Sequence, residues 1–220
     1  MNIEFIPFPK IARLNREIVI TEKLDGTNAQ VHIRPADDRF EFGVDTQIEI
    51  GGEPHYIRAG SRTRWLTMGG KGDNFGFGAW VYQNAHALSF LGAGQHFGEW
   101  WGSGIQRGYG LPKGEKRFSL FNTSRWDDAA VRPDCCGVVP VLYQGPFDQD
   151  EIDMAIEFLA ACGSQAAPGF MDPEGIIVYH TAANQLFKVT VKNDEVPKAL
   201  VTIEQIAEQH RDSLVRLAAA

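Results

Sequence analysis

An α+β fold of antiparallel sheets flanked by helices is what this chain predicts. Three observations carry that expectation. Short apolar or alternating segments recur along the sequence, each the length of a strand. One clear amphipathic helix follows them, over 150–162. No internal repeat, low-complexity tract or linker divides the chain, so its 220 residues, 44% of them hydrophobic, read as one domain over 1–220.

The elements follow in order. Residues 1–15 are irregular, because Pro7 and Pro9 break any helix. Residues 16–34 predict two strands joined at Asp25-Gly26; in the second, Ala29 to Ile33, apolar and polar residues alternate. Short β-like pieces continue over 40–64. Met68 to Gly78 holds five glycines without a Gly-Lys-Ser/Thr ending, which predicts a mobile loop and not a phosphate cradle. Residues 79–92 predict a helix with Trp80, Ala87, Leu88 and Leu91 inward. Phe118–Phe121 and Val138–Tyr143 are strand candidates. In Asp150–Cys162, Ile152, Ile156 and Leu159 share a face, and Gly163 ends the helix. Gly175–Tyr179 and Leu186–Val191 predict core strands, and Glu195 onward a closing helix.

Composition narrows the function classes. No apolar run reaches the roughly 18 residues that span a bilayer, and Met1 to Lys10 lacks an export pattern. The three cysteines include the adjacent Cys135 and Cys136, which fits a reducing compartment and a cytoplasmic setting. A net charge of -7 argues against bulk electrostatic binding of nucleic acid. Local clusters remain: Arg58, Arg62, Arg64 and Lys71, then Arg107, Lys113, Lys116 and Arg117, each with a solvated surface as the alternative. The six histidines show no metal-ligand spacing and read as structural or surface residues. Trp100 and Trp101 read as core, with stacking on single-stranded bases as the alternative.

Lys23 is the residue on which function turns. It ends a β-like run two residues before Asp25-Gly26. The plain alternative is a hairpin turn carrying a surface lysine. A lysine nucleophile must be neutral to attack, against an ordinary value of roughly 10.4. It needs nearby cations, a bound phosphate as electrophile and a carboxylate to hold a hydrated metal.

The motifs along the chain supply these groups in one order. Glu22-Lys23-Leu24-Asp25-Gly26-Thr27-Asn28 resembles the Lys-x-Asp-Gly motif of covalent nucleotidyltransferases, in the extended form of the phage nick-sealing and RNA-editing ligases. Ser61-Arg62-Thr63-Arg64, Phe97-Gly98-Glu99-Trp100, Phe118-Ser119-Leu120-Phe121, Pro173-Glu174-Gly175 and Phe187-Lys188-Val189-Thr190-Val191-Lys192 are similar to the motifs that follow it, and Gly104-Ile105-Gln106-Arg107 is ligase-like. The resemblance is to ATP-dependent RNA ligases and spans residues 22–192.

That resemblance implies a ligase adenylation (ATP-grasp-like) domain, ATP with Mg²⁺ or Mn²⁺, and RNA ends bearing a 5′-phosphate and a 3′-hydroxyl. DNA is the alternative substrate. It implies that Lys23 takes AMP, with Asp25, Arg62 and Lys188 as further catalytic residues. Glu22 would lie near the adenine and Asn28 near the phosphates. Arg62 would contact phosphate or ribose. Glu99 would hold ribose or a metal-bound water, and Phe121 would stack on the base. Glu174 would bind the metal, with Glu99 beside it. Lys188 would contact the α-phosphate and favour neutral Lys23. Thr190 stands where the family carries a second lysine. Lys192 lies on the same strand face, about 7 Å further on, and could serve in its place as a residue that binds the nucleotide. No C-terminal OB-fold is expected, so a separate clamp or end-processing protein is an expected partner. A minimal DNA ligase, a capping-type guanylyltransferase and a binding module without turnover remain the alternatives.

Overall fold

The structure is a computed structural model and describes residues 4–192, so the helix expected beyond Glu195 lies outside the described residues. In chain order the strands are β1 (Glu17–Lys23), β2 (Thr27–Pro35), β3 (Thr46–Ile50), β4 (Glu53–Ser61) and β5 (Gly94–Gly102). β6 (Lys116–Leu120), β7 (Cys136–Val138), β8 (Val141–Pro146), β9 (Gly175–His180) and β10 (Gln185–Thr190) follow. The helices are α1 (Phe77–Gln83), α2 (Ala85–Leu88), α3 (Thr123–Trp126) and α4 (Gln149–Cys162).

They build two sheets, ordered β10-β9-β1-β8 and β3-β4-β2-β5-β6-β7. The expected antiparallel pairing holds throughout except between β6 and β7, which run parallel. β1 buries Ile18, Ile20 and Glu22 and leaves Val19, Thr21 and Lys23 half-buried, the two-residue period of a strand with unlike faces. β2 buries Ala29, Val31 and Ile33 in the same rhythm. β3 and β4 turn through Gly51-Gly52, whose φ of 61° and 85° suit a two-residue hairpin.

β1 and β2 do not form a hairpin. β1 pairs with β8 and β9, β2 with β4 and β5, so Asp25-Gly26 carries the chain from one sheet to the other. Gly26 is required by closeness: a Cβ there would lie 2.4 Å from the Trp100 carbonyl oxygen.

The first core packs the inner face of the larger sheet, with Val31, Ile57 and Phe118, against Phe77, Val81 and Leu88 of α1 and α2. The second packs Ile18, Ile20, Ile176 and Val178 against Ile152, Ala155 and Leu159 of α4. α4 starts at Asp148, whose side chain accepts from Asp150 N, and stops at Gly163, with φ 79°. A third cluster of Leu24, Trp101, Tyr109, Val139 and Ala167 fastens one sheet to the other.

Several expectations change. The helix over 79–92 is broken at Asn84. The strand over 138–143 is two strands, β7 and β8, in different sheets. β10 is not a core strand: it is the exposed edge, half-buried only at Val189 and Thr190. The glycine-rich segment is pinned by Asp73, which accepts from Gly69 N and Ala79 N, and by Trp100, which donates to the Phe75 carbonyl. Trp100 and Trp101 are both core residues, 3% and 2% exposed. Among the histidines, His96 and His180 bond the carbonyls of Gly92 and Leu14, and His32 stacks on Trp65. His210 lies outside the described residues.

Candidate active site

β1 ends where its sheet meets the larger one, and Lys23 is its last residue. Lys23 Nζ lies 2.5 Å from Glu174 Oε2, in a contact largely shielded from water. Glu174 immediately precedes β9, whose first residue, Gly175, faces Lys23 across the ladder. Gly175 in turn faces Thr190 of β10. The three strands pack so tightly here that a Cβ on Gly175 would lie 2.1 Å from the Val189 carbonyl oxygen.

Two pairs further along, Thr21, Ile177 and Lys188 align. Cross-strand partners share a face, so Lys188 projects from the same face as Lys23. Thr190 occupies the place directly in register with Lys23. Lys192 is engaged elsewhere: its Nζ pairs with Asp172 Oδ1 at 2.8 Å.

The larger sheet brings Glu99 to the same place. Glu99 Oε1 accepts from Gly26 N at 3.2 Å, tying β5 to the chain just past Lys23. Burial pushes its carboxyl up to about 7; Lys23, the Gly26 N–H and Arg62 pull it down, and Glu174 pushes it up. Glu99, Lys23, Glu174 and Arg62 are therefore within one electrostatic neighbourhood. Asn28 of β2 faces Glu99 in register, and Arg62 stands exposed just past β4. Two residues along from Glu99 lies Phe97 of β5, and just past β6 lies Phe121; they are 45% and 40% exposed and joined by a bond from Phe121 N to the Phe97 carbonyl.

Glu22 turns to the opposite side of β1 and is 1% exposed. Its Oε2 accepts from Gln165 N at 2.8 Å and Ala166 N at 3.0 Å, while Oε1 has no hydrogen-bond partner. Burial raises its carboxyl above the ordinary range, against the hydrogen bonds that lower it. A buried acceptor left unpaired is costly and suits a ligand donor such as an exocyclic amine.

Asp25 does not approach Lys23 by any hydrogen bond. Its carboxylate accepts from Arg107 Nε at 2.9 Å, and its backbone N–H donates to the Tyr109 hydroxyl at 2.7 Å. Tyr109 and Asp172 were not among the residues expected to act, and Arg107 stood out only in a basic cluster and at the end of the ligase-like Gly104-Ile105-Gln106-Arg107. The glycines at 102, 104, 108 and 110 were the available signal, since such density marks a loop with unusual backbone demands.

Among the described residues, no three histidine, cysteine or carboxylate side chains converge into a metal cage. Mg²⁺ commonly uses only one or two protein carboxylates, completing its shell with water and substrate phosphates. Glu174 and Glu99 suit that mode. Glu174 Oε2 in particular has an ionic neighbour but no hydrogen bond.

Two sheets meeting at a strand-end lysine, with buried carboxylates opposite it, form a fold of the RNA ligase nucleotidyltransferase type. Residues 16–192 match the family model described as RNA ligase, and the chain belongs to that family. Solved structures of Naegleria gruberi RNA ligase have a similar fold. One mutant with ATP and Mn gives a TM-score of 0.52 at 16% identity, covering 80% of this chain and 49% of that one. An apo mutant gives 0.52 at 17% identity, covering 80% and 50%. This chain thus spans about half the length of those proteins. No curated protein matches it.

Proposed function

We propose that this chain is an ATP-dependent RNA ligase that carries AMP on Lys23 while joining a 5′-phosphate end to a 3′-hydroxyl end. The observation that carries this reading is Lys23 set 2.5 Å from Glu174 at the junction of the sheets, with Glu99 beside them. The similar Naegleria structures are described with ATP, with AMP and with Mn.

In the resting site Lys23 is paired with Glu174, and it must be neutral to attack. Glu174 and Glu99 would hold a divalent cation, which when bound would supply positive charge to neutralise the phosphates. Lys23 gives its proton to water and attacks the α-phosphorus. A nitrogen–phosphorus bond forms, and the bond to the bridging oxygen breaks as pyrophosphate leaves. Lys188, on the same strand face, faces the negative charge that develops. Arg62 stands at the open side of Glu99, where phosphate or ribose would lie. Phe121, with Phe97 beside it, gives the base an aromatic face, and Glu22 Oε1 an acceptor for its amino group. Asn28, in register with Glu99, would lie near the phosphates.

An oxygen of the RNA 5′-phosphate next attacks the AMP phosphorus, and Lys23 leaves and takes back a proton. The 3′-hydroxyl then loses its proton to water and attacks the 5′-phosphorus of the activated end, forming the phosphodiester as the phosphorus–oxygen bond to AMP breaks and AMP departs. Catalysis of this kind is mainly positioning and charge neutralisation.

Incubation with ATP labelled at the α-phosphate and Mn²⁺, followed by denaturation, should leave label on the wild type and none on Lys23→Ala. Label retained by Lys23→Ala sinks the assignment of the nucleophile. Absence of label from the wild type sinks the reaction. Sealing of nicked, splinted and single-stranded RNA, with DNA counterparts, then identifies the ends joined.

A further inference from the structure

Residues 104–110 form a strained loop between β5 and β6. Gly104, Gly108 and Gly110 have positive φ there, as do Gln106 at 43° and Tyr109 at 53°, which carry side chains. Such backbone persists only where surrounding structure enforces it. Two contacts to one residue accompany it. The Tyr109 hydroxyl accepts from Asp25 N at 2.7 Å, and Arg107 Nε donates to Asp25 Oδ2 at 2.9 Å.

Arg107 also reaches in a second direction. Its Nη1 donates to Asp172 Oδ2 at 2.6 Å and to the Asp172 carbonyl at 3.0 Å. Asp25 lies two residues after Lys23, and Asp172 two residues before Glu174. The ladder between β1 and β9 ends at the Lys23–Gly175 pair, so no β1–β9 pairing extends to Glu174. Beyond that point the Arg107 guanidinium spans the gap between the two segments. Two N–H groups in a rigid fork can hold two carboxylates at once, which a lysine ammonium cannot do in the same geometry.

Lys192 completes the unit through its 2.8 Å contact with Asp172. Two carboxylates, Asp25 and Asp172, then face two cations, Arg107 and Lys192, and the group is neutral. Burial pushes the Asp172 carboxyl up, but Lys192 and Arg107 outweigh it and hold it below the usual range.

We propose that Arg107 is a positioning residue, which sets Glu174 against Lys23 for the metal-bound nucleotide, and that Lys192 serves Asp172 in this unit and not the α-phosphate. The inference rests on the function proposed above. It gives Arg107 and the departed second lysine distinct tasks in one site.

The test reads Mn²⁺ binding in the presence of ATP, from the free-ion EPR signal, beside covalent labelling. Arg107→Lys keeps charge and bulk but not the fork. Its half-saturating Mn²⁺ should rise about tenfold, with a melting temperature close to wild type. Arg107→Ala should give a similar or larger rise. Lys192→Ala should raise it only a few-fold and still label at saturating Mn²⁺. A melting temperature that falls while half-saturating Mn²⁺ stays at the wild-type value would make Arg107 merely structural and overturn the proposal. So would loss of labelling in Lys192→Ala as complete as in Lys23→Ala. If the wild type itself takes no label, the proposed reaction fails, and the Mn²⁺ measurements still decide the role of Arg107.

Discussion

Glu99 shows how one side chain can link stability to chemistry. Half-buried beside Glu174, its carboxyl is pushed up to about 7, well above an ordinary glutamate. A raised acid binds its proton more tightly in the folded state. Its contribution to stability is therefore full below the ordinary glutamate value and is lost as pH rises through about 7. Holding a cation needs the opposite, ionised form. Labelling by α-phosphate-labelled ATP at limiting Mn²⁺ should accordingly increase as pH rises through about 7. Glu99→Gln should lose that rise and label weakly at every pH, yet melt higher than the wild type above pH 7. An unchanged pH profile in Glu99→Gln would remove Glu99 from the cation site.

At the scale of elements, the edge strand decides how the lysines are arranged. β10 carries Lys188 and lies against β9 so closely that only glycine fits at 175. Gly175→Ala must push β10 away from β9 or shift the Glu174 segment. Overpacking of this kind costs about 1–3 kcal/mol. The melting temperature should fall, and labelling should fall further than stability alone explains, because Lys23 and Lys188 are set through that contact. A variant with wild-type melting and labelling would show that the strands relax at no cost. α4 offers the contrast: its Asp148 cap and Gly163 stop follow ordinary helix rules, and its buried face serves packing alone.

For the whole molecule, the site exists only because one sheet is fastened to the other. Trp101 and Tyr109 of one side meet Leu24, Val139 and Ala167 in the small core that does this. Trp101 also donates to Ser119 Oγ at 2.9 Å. Trp101→Ala should destabilise by about 3–5 kcal/mol in denaturant melts, as for other buried tryptophans. It should also depress labelling under conditions where the variant is still folded, since Glu99 comes from one sheet and Lys23 from the other. Full labelling at that temperature would mean that the sheets keep their relation without this core.

Much of the fold was legible in local sequence, and the reason is period. A short apolar run marked β1, alternation marked β2, and a three-to-four residue spacing with a glycine stop marked α4, the last two because each reports a single buried face. The motif residues Lys23, Glu99 and Glu174 could be picked out because strand ends and turns carry recognisable chemistry. Their company could not be read the same way. Asp25-Gly26 looks locally like a hairpin, and only the pairing of β1 with β8 and β9 makes it a bridge between sheets. Lys192 keeps the strand-face period of Lys188, yet an ion pair with Asp172, twenty residues away in sequence, holds it. Arg107 is eighty-two residues from Asp25 and sixty-five from Asp172. The sequence by itself determined which residues are candidates for the proposed chemistry and which elements present them, since both depend on neighbours a few positions apart. Only the tertiary structure decided which charges meet, because Coulomb and hydrogen-bond contacts depend on distances that chain separation does not set.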